Sequence, residues 1–389
     1  MRETWRWFGQ YDAISLNEVK QTGAQGIVSA LHEIPYGVLW PSDAIAKRKT
    51  EIEKAGFTWD VVESLPVHEA IKKGEGDLSP LFATYRQSLA NLAEHGIKTI
   101  CYNFMPILDW TRTDLQASVP NGGTCLRFSA VKMAAFEIHM LGLSDADKSY
   151  EPETLIEAEK WIASASETDR AELLHAIMSG LPGAVDRYDI DELCHILKSY
   201  HGIQHDDLRA NLKRFLEEVV PTAAELGMNL CVHPDDPPFD ILGLPRIVSN
   251  KDDIAWLLNA VDEQANGLTL CTGSLGAGRQ NNLPEIATLF AHRTHFAHLR
   301  NVLKSEDNSF DESEHLGGDV DMVAVIEALL KAEQEREISI PFRADHGHSL
   351  LSDKDREFQP GYTLIGRLRG LAELRGIITA LSARLDISA

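Results

Sequence analysis

Residues 208–233, LRANLKRFLEEVVPTAAELGMNLCVH, pass from a helix to a strand and end on an imidazole. Apolar residues recur at helical spacing from Leu208 to Leu226, Gly227 stands where a helix is commonly closed, and Met228–His233 is an apolar run of strand length. The same alternation extends in both directions. Further strands are predicted at Thr4–Phe8, Gly26–Leu31, Thr58–Glu63 and Lys98–Phe104, then at Leu268–Thr272, His295–Leu299 and Ile338–Ala344. Helical patterns lie between them at Leu81–His95, Asp252–Asp262 and Val320–Glu335, and Gly56, Gly96 and Gly267 are read, like Gly227, as helix ends. Strands alternating with helices imply parallel pairing and a buried sheet, and eight such units imply closure into an α/β (β/α)8 barrel.

Predicted strand starts fall 22 to 43 residues apart, except that 130 residues separate Lys98 from Met228. Leu115 to Tyr200 is therefore expected to be a helical insertion after the fourth strand, within a single domain of residues 1–389. It contains an aliphatic run at Val131–Leu141, a charged stretch at Glu151–Ile162 and Asp169–Met178 ahead of a break at Leu181–Ala184. At the active end of a barrel such an excursion suits a lid or a subunit contact, and a homo-oligomer, a dimer or larger, is expected.

Lys and Arg number 37 against 59 Asp and Glu, a formal charge of −22. That field repels phosphate backbones and anionic lipid, which excludes nucleic acid and membranes as general partners. No apolar run reaches the length of a spanning helix, and MRETWRWFGQYD lacks the layout of a secretory signal, so a cytoplasmic location is expected. The five cysteines are scattered, odd in number and without a CxxC pair, which argues against a disulfide framework.

Chemistry in such a barrel gathers at the C-terminal ends of the strands. The last four ends read CVHPDDPP, LCTGSLG, HFAHLRN and FRADHGHS, and deliver His233, Cys271, His298 and Asp345 in turn. One His or Cys at a strand end is usually a core or rim residue; four in phase form a ligand set for a divalent ion. Cys231 lies two positions before His233 on the same strand and is read as core filling, as are Cys101, Cys125 and Cys194. His201 and His205 have helical ligand spacing but sit in a polar joint, and His292 and His295 flank a strand start, away from the active end. In the segment Arg343–His348, His346 can give or take a proton beside Asp345. Tyr362 lies in a loop, where a tyrosine is more often a packing residue than a reactive one. Arg6, His32, Glu63 and Asn103 fall at strand ends that line the mouth.

Taken together, HPDDPP with ILGLPRIVS, CTGSLG, HLRN, HLGGDVDM, RADHGH and PGYTLIGRLRGLAELRG closely resemble the mannonate dehydratase family of hexuronate catabolism. MRETWRWFG, IPYGVLWP and ICYNFMPILDWTRTDL extend the resemblance over essentially the whole chain, least specifically in the insertion. The resemblance implies a TIM barrel of the xylose isomerase-like kind that removes water from D-mannonate to give 2-keto-3-deoxy-D-gluconate, using a divalent ion, Mn²⁺ or Fe²⁺. It places the metal ligands on His233, Cys271, His298 and Asp345 and the catalytic pair on His346 and Tyr362, and it favours tyrosine as base and histidine as acid. Arg300, Arg343 and Asn103 are the candidates for contacting the sugar acid, and the two arginines, with the ion, are expected to hold an anion against the overall charge.

A metal-dependent sugar isomerase on the same barrel is the nearest alternative, but such sites tend to be rich in carboxylates where this chain offers Cys and His. An endonuclease would need a basic groove, which the charge disfavours. A barrel that only stores or binds metal would turn over no aldonate. Two imidazoles and a thiolate also bind Zn²⁺ well, so affinity and activity need not select the same ion.

Overall fold

A computed structural model of the chain describes residues 1–179 and 189–386; the expected break at Leu181–Ala184 lies outside the described residues. The strands in chain order are β1 (Arg2–Arg6), β2 (Gly26–Ser29), β3 (Thr58–Glu63), β4 (Thr99–Tyr102), β5 (Asp114–Ser118) and β6 (Thr124–Phe128). They continue with β7 (Asn229–Val232), β8 (Asn266–Cys271), β9 (Thr294–Leu299), β10 (Asn301–Lys304), β11 (Phe310–Ser313) and β12 (Pro341–Ala344). Eight of them close in the order β1-β12-β9-β8-β7-β4-β3-β2, every neighbouring pair parallel. Each overlaps one of the eight predicted strands. The fold is therefore the α/β TIM barrel that the alternation implied.

The helix at His205–Glu225 shows what drives closure. Leu208, Leu212, Phe215, Leu216, Val219 and Val220 are all fully buried against the sheet and its neighbours, and each such side chain contributes about 1.5–3 kcal/mol by leaving water. Truncating one, as in Leu216→Ala, would cost about 2–5 kcal/mol, because a packed core collapses only partly around a hole. Inside the barrel, Val28, Val61, Cys101, Cys231 and Phe296 form a small apolar layer beneath the mouth. All five cysteines are free, Cys194 being half-buried and the others buried.

Three of the glycines expected at helix ends, Gly56, Gly96 and Gly227, adopt φ of +88°, +78° and +61°, the left-handed region that a side chain disfavours. Gly267 is different. It lies within β8, where a Cβ would collide with the ring of His295 on the adjacent strand, so close packing requires it.

The stretch between β4 and β7 departs from an all-helical reading at its start. Asp114–Ser118 and Thr124–Phe128 form an antiparallel hairpin, and only from Ala130 does the chain turn helical, with helices at Pro152–Ser164, Glu167–Ile177 and Ile190–Lys198 following. The hairpin edge pairs with β11, which leaves the barrel after β9, giving a four-stranded sheet of order β10-β11-β6-β5. Those partners are some 180 residues apart in the chain (Phe310 with Phe128), so no local pattern announces them. A second apolar core, including Phe128, Met133, Phe136, Leu193 and Phe310, joins this sheet to the helices. Among the described residues no helix is long and apolar enough to cross a membrane.

Candidate active site

The four strand ends converge as the alternation requires. His233 follows β7, with its Nδ1 2.7 Å from the Pro234 carbonyl, an arrangement that turns Nε2 toward His298. Cys271 ends β8 and caps the short helix Thr272–Ala277, its Sγ accepting from Ser274 N at 3.4 Å. His298 projects from β9, and Asp345 follows β12. Ligand atoms of His233, Cys271 and His298 lie within 4.8 Å of one another. Asp345 Oδ2 is 3.8 Å from Cys271 Sγ, while Oδ1 is held by Arg343.

Several features suit this cluster to an ion. His298 Nε2 is buried 3.4 Å from Glu63 Oε2, and the two imidazoles meet at 3.1 Å between His233 Nε2 and His298 Nδ1. Burial alone would push the Cys271 thiol up, yet the charge of His233 and hydrogen bonds from both histidines hold it well below its ordinary value, as a thiolate. Burial would lower His233, but the same thiolate raises it to about 10. A thiolate and two imidazoles form a sound donor set for a divalent metal.

Beside the cluster lies a small cavity of about 30 Å³, lined by Asn103, Trp110, Arg300, Arg343, His346 and Tyr362 among others. The rings of His346 and Tyr362 meet edge to face with centroids 4.9 Å apart, and Trp110 backs His346 at 6.0 Å. Burial pushes the Tyr362 phenol above its ordinary value, with Arg343, 5.6 Å from the ring, pulling the other way.

The guanidinium groups around the cavity are matched by carboxylates. Arg300 reaches Asp236 (Nη2 to Oδ2, 2.7 Å), Asp345 (Nε to Oδ2, 2.9 Å) and Glu312, and Arg112 bridges the same Asp236 and Glu312 at 2.7 Å each. Arg343 forks onto Glu63 at 2.8 and 3.1 Å, and Arg6 Nη1 stands 3.2 Å from Glu63. Burial would raise Glu312, but Arg300, His346 and Arg112 hold it down at about 2, and Asp236 is lowered by Arg112 and Arg300 in the same way. Gly273 makes this possible, since a Cβ there would strike the Arg300 guanidinium.

The D-mannonate dehydratase (UxuA) family model matches residues 1–388. The chain belongs to the D-mannonate dehydratase family. Membership makes it a hydro-lyase. It is 50% identical over 386 residues to a mannonate dehydratase of Chromohalobacter salexigens, covering 98% of this chain and 99% of that one, and 51% identical to mannonate dehydratase 1 of Agrobacterium fabrum, covering 98% and 97%. The crystal structure of a mannonate dehydratase from Streptococcus suis serotype 2 superposes with a TM-score of 0.80 at 32% identity, covering 100% of this chain and 95% of that one. A xylose isomerase domain protein from Alicyclobacillus acidocaldarius, at 11% identity and a TM-score of 0.53 over 98% and 99% of the two chains, shares the barrel alone.

Within this mannonate dehydratase fold, the residues expected to form the site come together. Asn103, His233, Arg300, Arg343, Asp345, His346 and Tyr362 all line the one cavity, with Cys271 and His298 packed against His233. The histidines set aside stay apart: His201 is exposed, His205 pairs with Asp240 at 3.0 Å, and His295 bonds to the Gln264 carbonyl at 2.8 Å. Sequence reasoning missed Asp236, Glu312, Arg112, Asp109 and Trp110. Asp236 stands three residues after His233 in HPDD and could have been singled out. Glu312 could not, because β11 itself was not foreseen.

Proposed function

We propose that this chain removes water from D-mannonate to give 2-keto-3-deoxy-D-gluconate, with His346 and Tyr362 carrying the two protons. The observation that carries the proposal is the meeting of these two side chains on one cavity, beside the His233, Cys271 and His298 cluster. Dehydration takes the proton at C2, beside the carboxylate, and expels the hydroxyl at C3 as water, so one group must accept a proton and another must give one. Tyr362 keeps its proton near neutrality, since burial outweighs the pull of Arg343, and is suited to protonate the departing hydroxyl. His346 then takes the C2 proton. This division reverses the one that family resemblance favours.

His233, Cys271 and His298, joined by Asp345, would hold the divalent ion, Mn²⁺ or Fe²⁺. Bound there, it supplies Lewis-acid stabilisation of the negative charge that develops next to the substrate carboxylate. Because Arg300 and Arg343 are already paired with carboxylates, they orient and shield more than they add free positive charge. Arg300, Arg343 and the Asn103 amide remain the groups set to meet the sugar acid at the wall. The enzyme is further taken to be a cytoplasmic homo-oligomer; light scattering of the purified protein checks the assembly, and fractionation of the cells that make it checks the location.

A panel of six-carbon aldonates, incubated with reduced, Mn²⁺-replete protein and assayed for keto-deoxy acid, tests the reading. Turnover of D-mannonate above its epimers is expected. No turnover of any aldonate would overturn it.

A further inference from the structure

His346 Nδ1 lies 2.8 Å from Glu312 Oε2 and 2.9 Å from Oε1. Glu312 is 3% exposed and sits on β11, in the small antiparallel sheet and not in the barrel. Arg112 grips its Oε1 through Nη2 at 2.7 Å and Nε at 3.0 Å, and Arg300 Nη1 grips the same oxygen, so its orientation is set before His346 is considered. The Glu312 backbone carbonyl also accepts from His348 Nε2 at 2.8 Å. Both imidazoles of the turn after β12 are thus tied to one residue of the accessory sheet. A bridge between Thr124 and Ser349 fastens the same turn to β6.

Two groups face His346 Nδ1, and they ask for opposite things. Arg300 Nη1, 3.3 Å away, can only donate; the carboxylate can only accept, is half an ångström nearer and offers two oxygens. The nearer, doubly placed acceptor decides the proton's position. We propose that Glu312 is a positioning residue for His346, accepting the Nδ1 proton and thereby presenting Nε2 to the cavity as the nitrogen that works on substrate. The inference rests on the catalytic role proposed for His346. The accessory sheet thereby acquires a role in catalysis, since strands from two distant loops combine to place one carboxylate behind one ring.

The test is a double-variant cycle on the full-length, metal-loaded protein with D-mannonate. Glu312→Gln keeps the side-chain size and is expected to lower kcat by about 10²-fold or more, with KM and bound metal within about threefold of wild type. Glu312→Asp keeps the charge and should recover part of the loss; if Glu312→Gln fails to fold, this variant carries the same cycle. In a His346→Ala background, changing Glu312 should alter the residual kcat by less than about twofold, since a group that acts through the ring has nothing left to act on. Losses that multiply in full, or a raised KM at unchanged kcat, would overturn the inference. An inactive His346→Ala beside a fully active Glu312→Gln overturns it alone, whereas a fully active His346→Ala overturns the proposed role of His346 as well.

Discussion

Glu137 is where pH should act most directly on the stability of this fold. It is 3% exposed, in the helical turn Phe136–Met140, and accepts the Leu242 backbone N–H at 2.5 Å and the Tyr150 hydroxyl at 2.9 Å. Burial pushes its carboxyl up to about 7, and the two hydrogen bonds draw it only partway back. The folded chain therefore holds it neutral. The stability so conferred is whole below the ordinary value of 4.5 and is lost as pH rises through about 7. That gap corresponds to about 3 kcal/mol. Glu137→Gln keeps an oxygen for Leu242 and an amide for the Tyr150 oxygen, and it cannot ionise. Near pH ~5 the two proteins should melt together, and by pH ~8 the variant should be more stable by about 3 kcal/mol, or about 4 °C in Tm for a chain of this length. Circular-dichroism melts of both proteins across that range, at constant ionic strength, measure the difference. A Tm difference independent of pH, or one that moves toward wild type as pH rises, would refute the reasoning.

Deuterium exchange separates the two protons of the reaction: in heavy water Tyr362→Phe should still wash the C2 proton out of D-mannonate while forming little product, and His346→Ala should do neither. Exchange lost only in Tyr362→Phe would restore tyrosine as the base. Cys271→Ser removes the thiolate, and metal analysis after dialysis should show most of the ion gone with the far-ultraviolet circular dichroism unchanged; full retention would take Cys271 out of the ligand set. Gly273→Ala drives a methyl into the Arg300 guanidinium, and a displacement of about 1 Å there should cost about 10²-fold in kcat/KM. Activity within a few-fold of wild type would show that Arg300 tolerates the shift.

The barrel was readable because its signals are local. Each barrel strand after the first is a short apolar run preceded within a few residues by a helix, and the ends of β7, β8, β9 and β12 carry ligand-type residues that stand out against the runs before them. The accessory sheet was not. DLQAS and TCLRF carry no strong alternation, and their stability comes from pairing with β11 and from the stacking of Phe128 on Phe310 at 5.5 Å, both contacts across long loops. Gly267 was misread for a related reason: a glycine between a helix and a strand resembles a cap, and only the approach of His295 reveals a packing requirement.

The acidic composition posed the question of how such a chain holds an anion, and an answer through Arg300 and Arg343 was the natural one from sequence. Tertiary structure changes that answer by surrounding both with Asp236, Glu312, Asp345 and Glu63. Sequence by itself determined the barrel, the order of its strands and the residue types at their mouths, because periodicity and chain direction dictate which side chains reach that end. Which charges cancel, which nitrogen of His346 is free and how far burial shifts Tyr362 and Glu137 were decided only by the folded chain. Those properties depend on distances of a few ångströms between residues hundreds of positions apart, and on the loss of water around them.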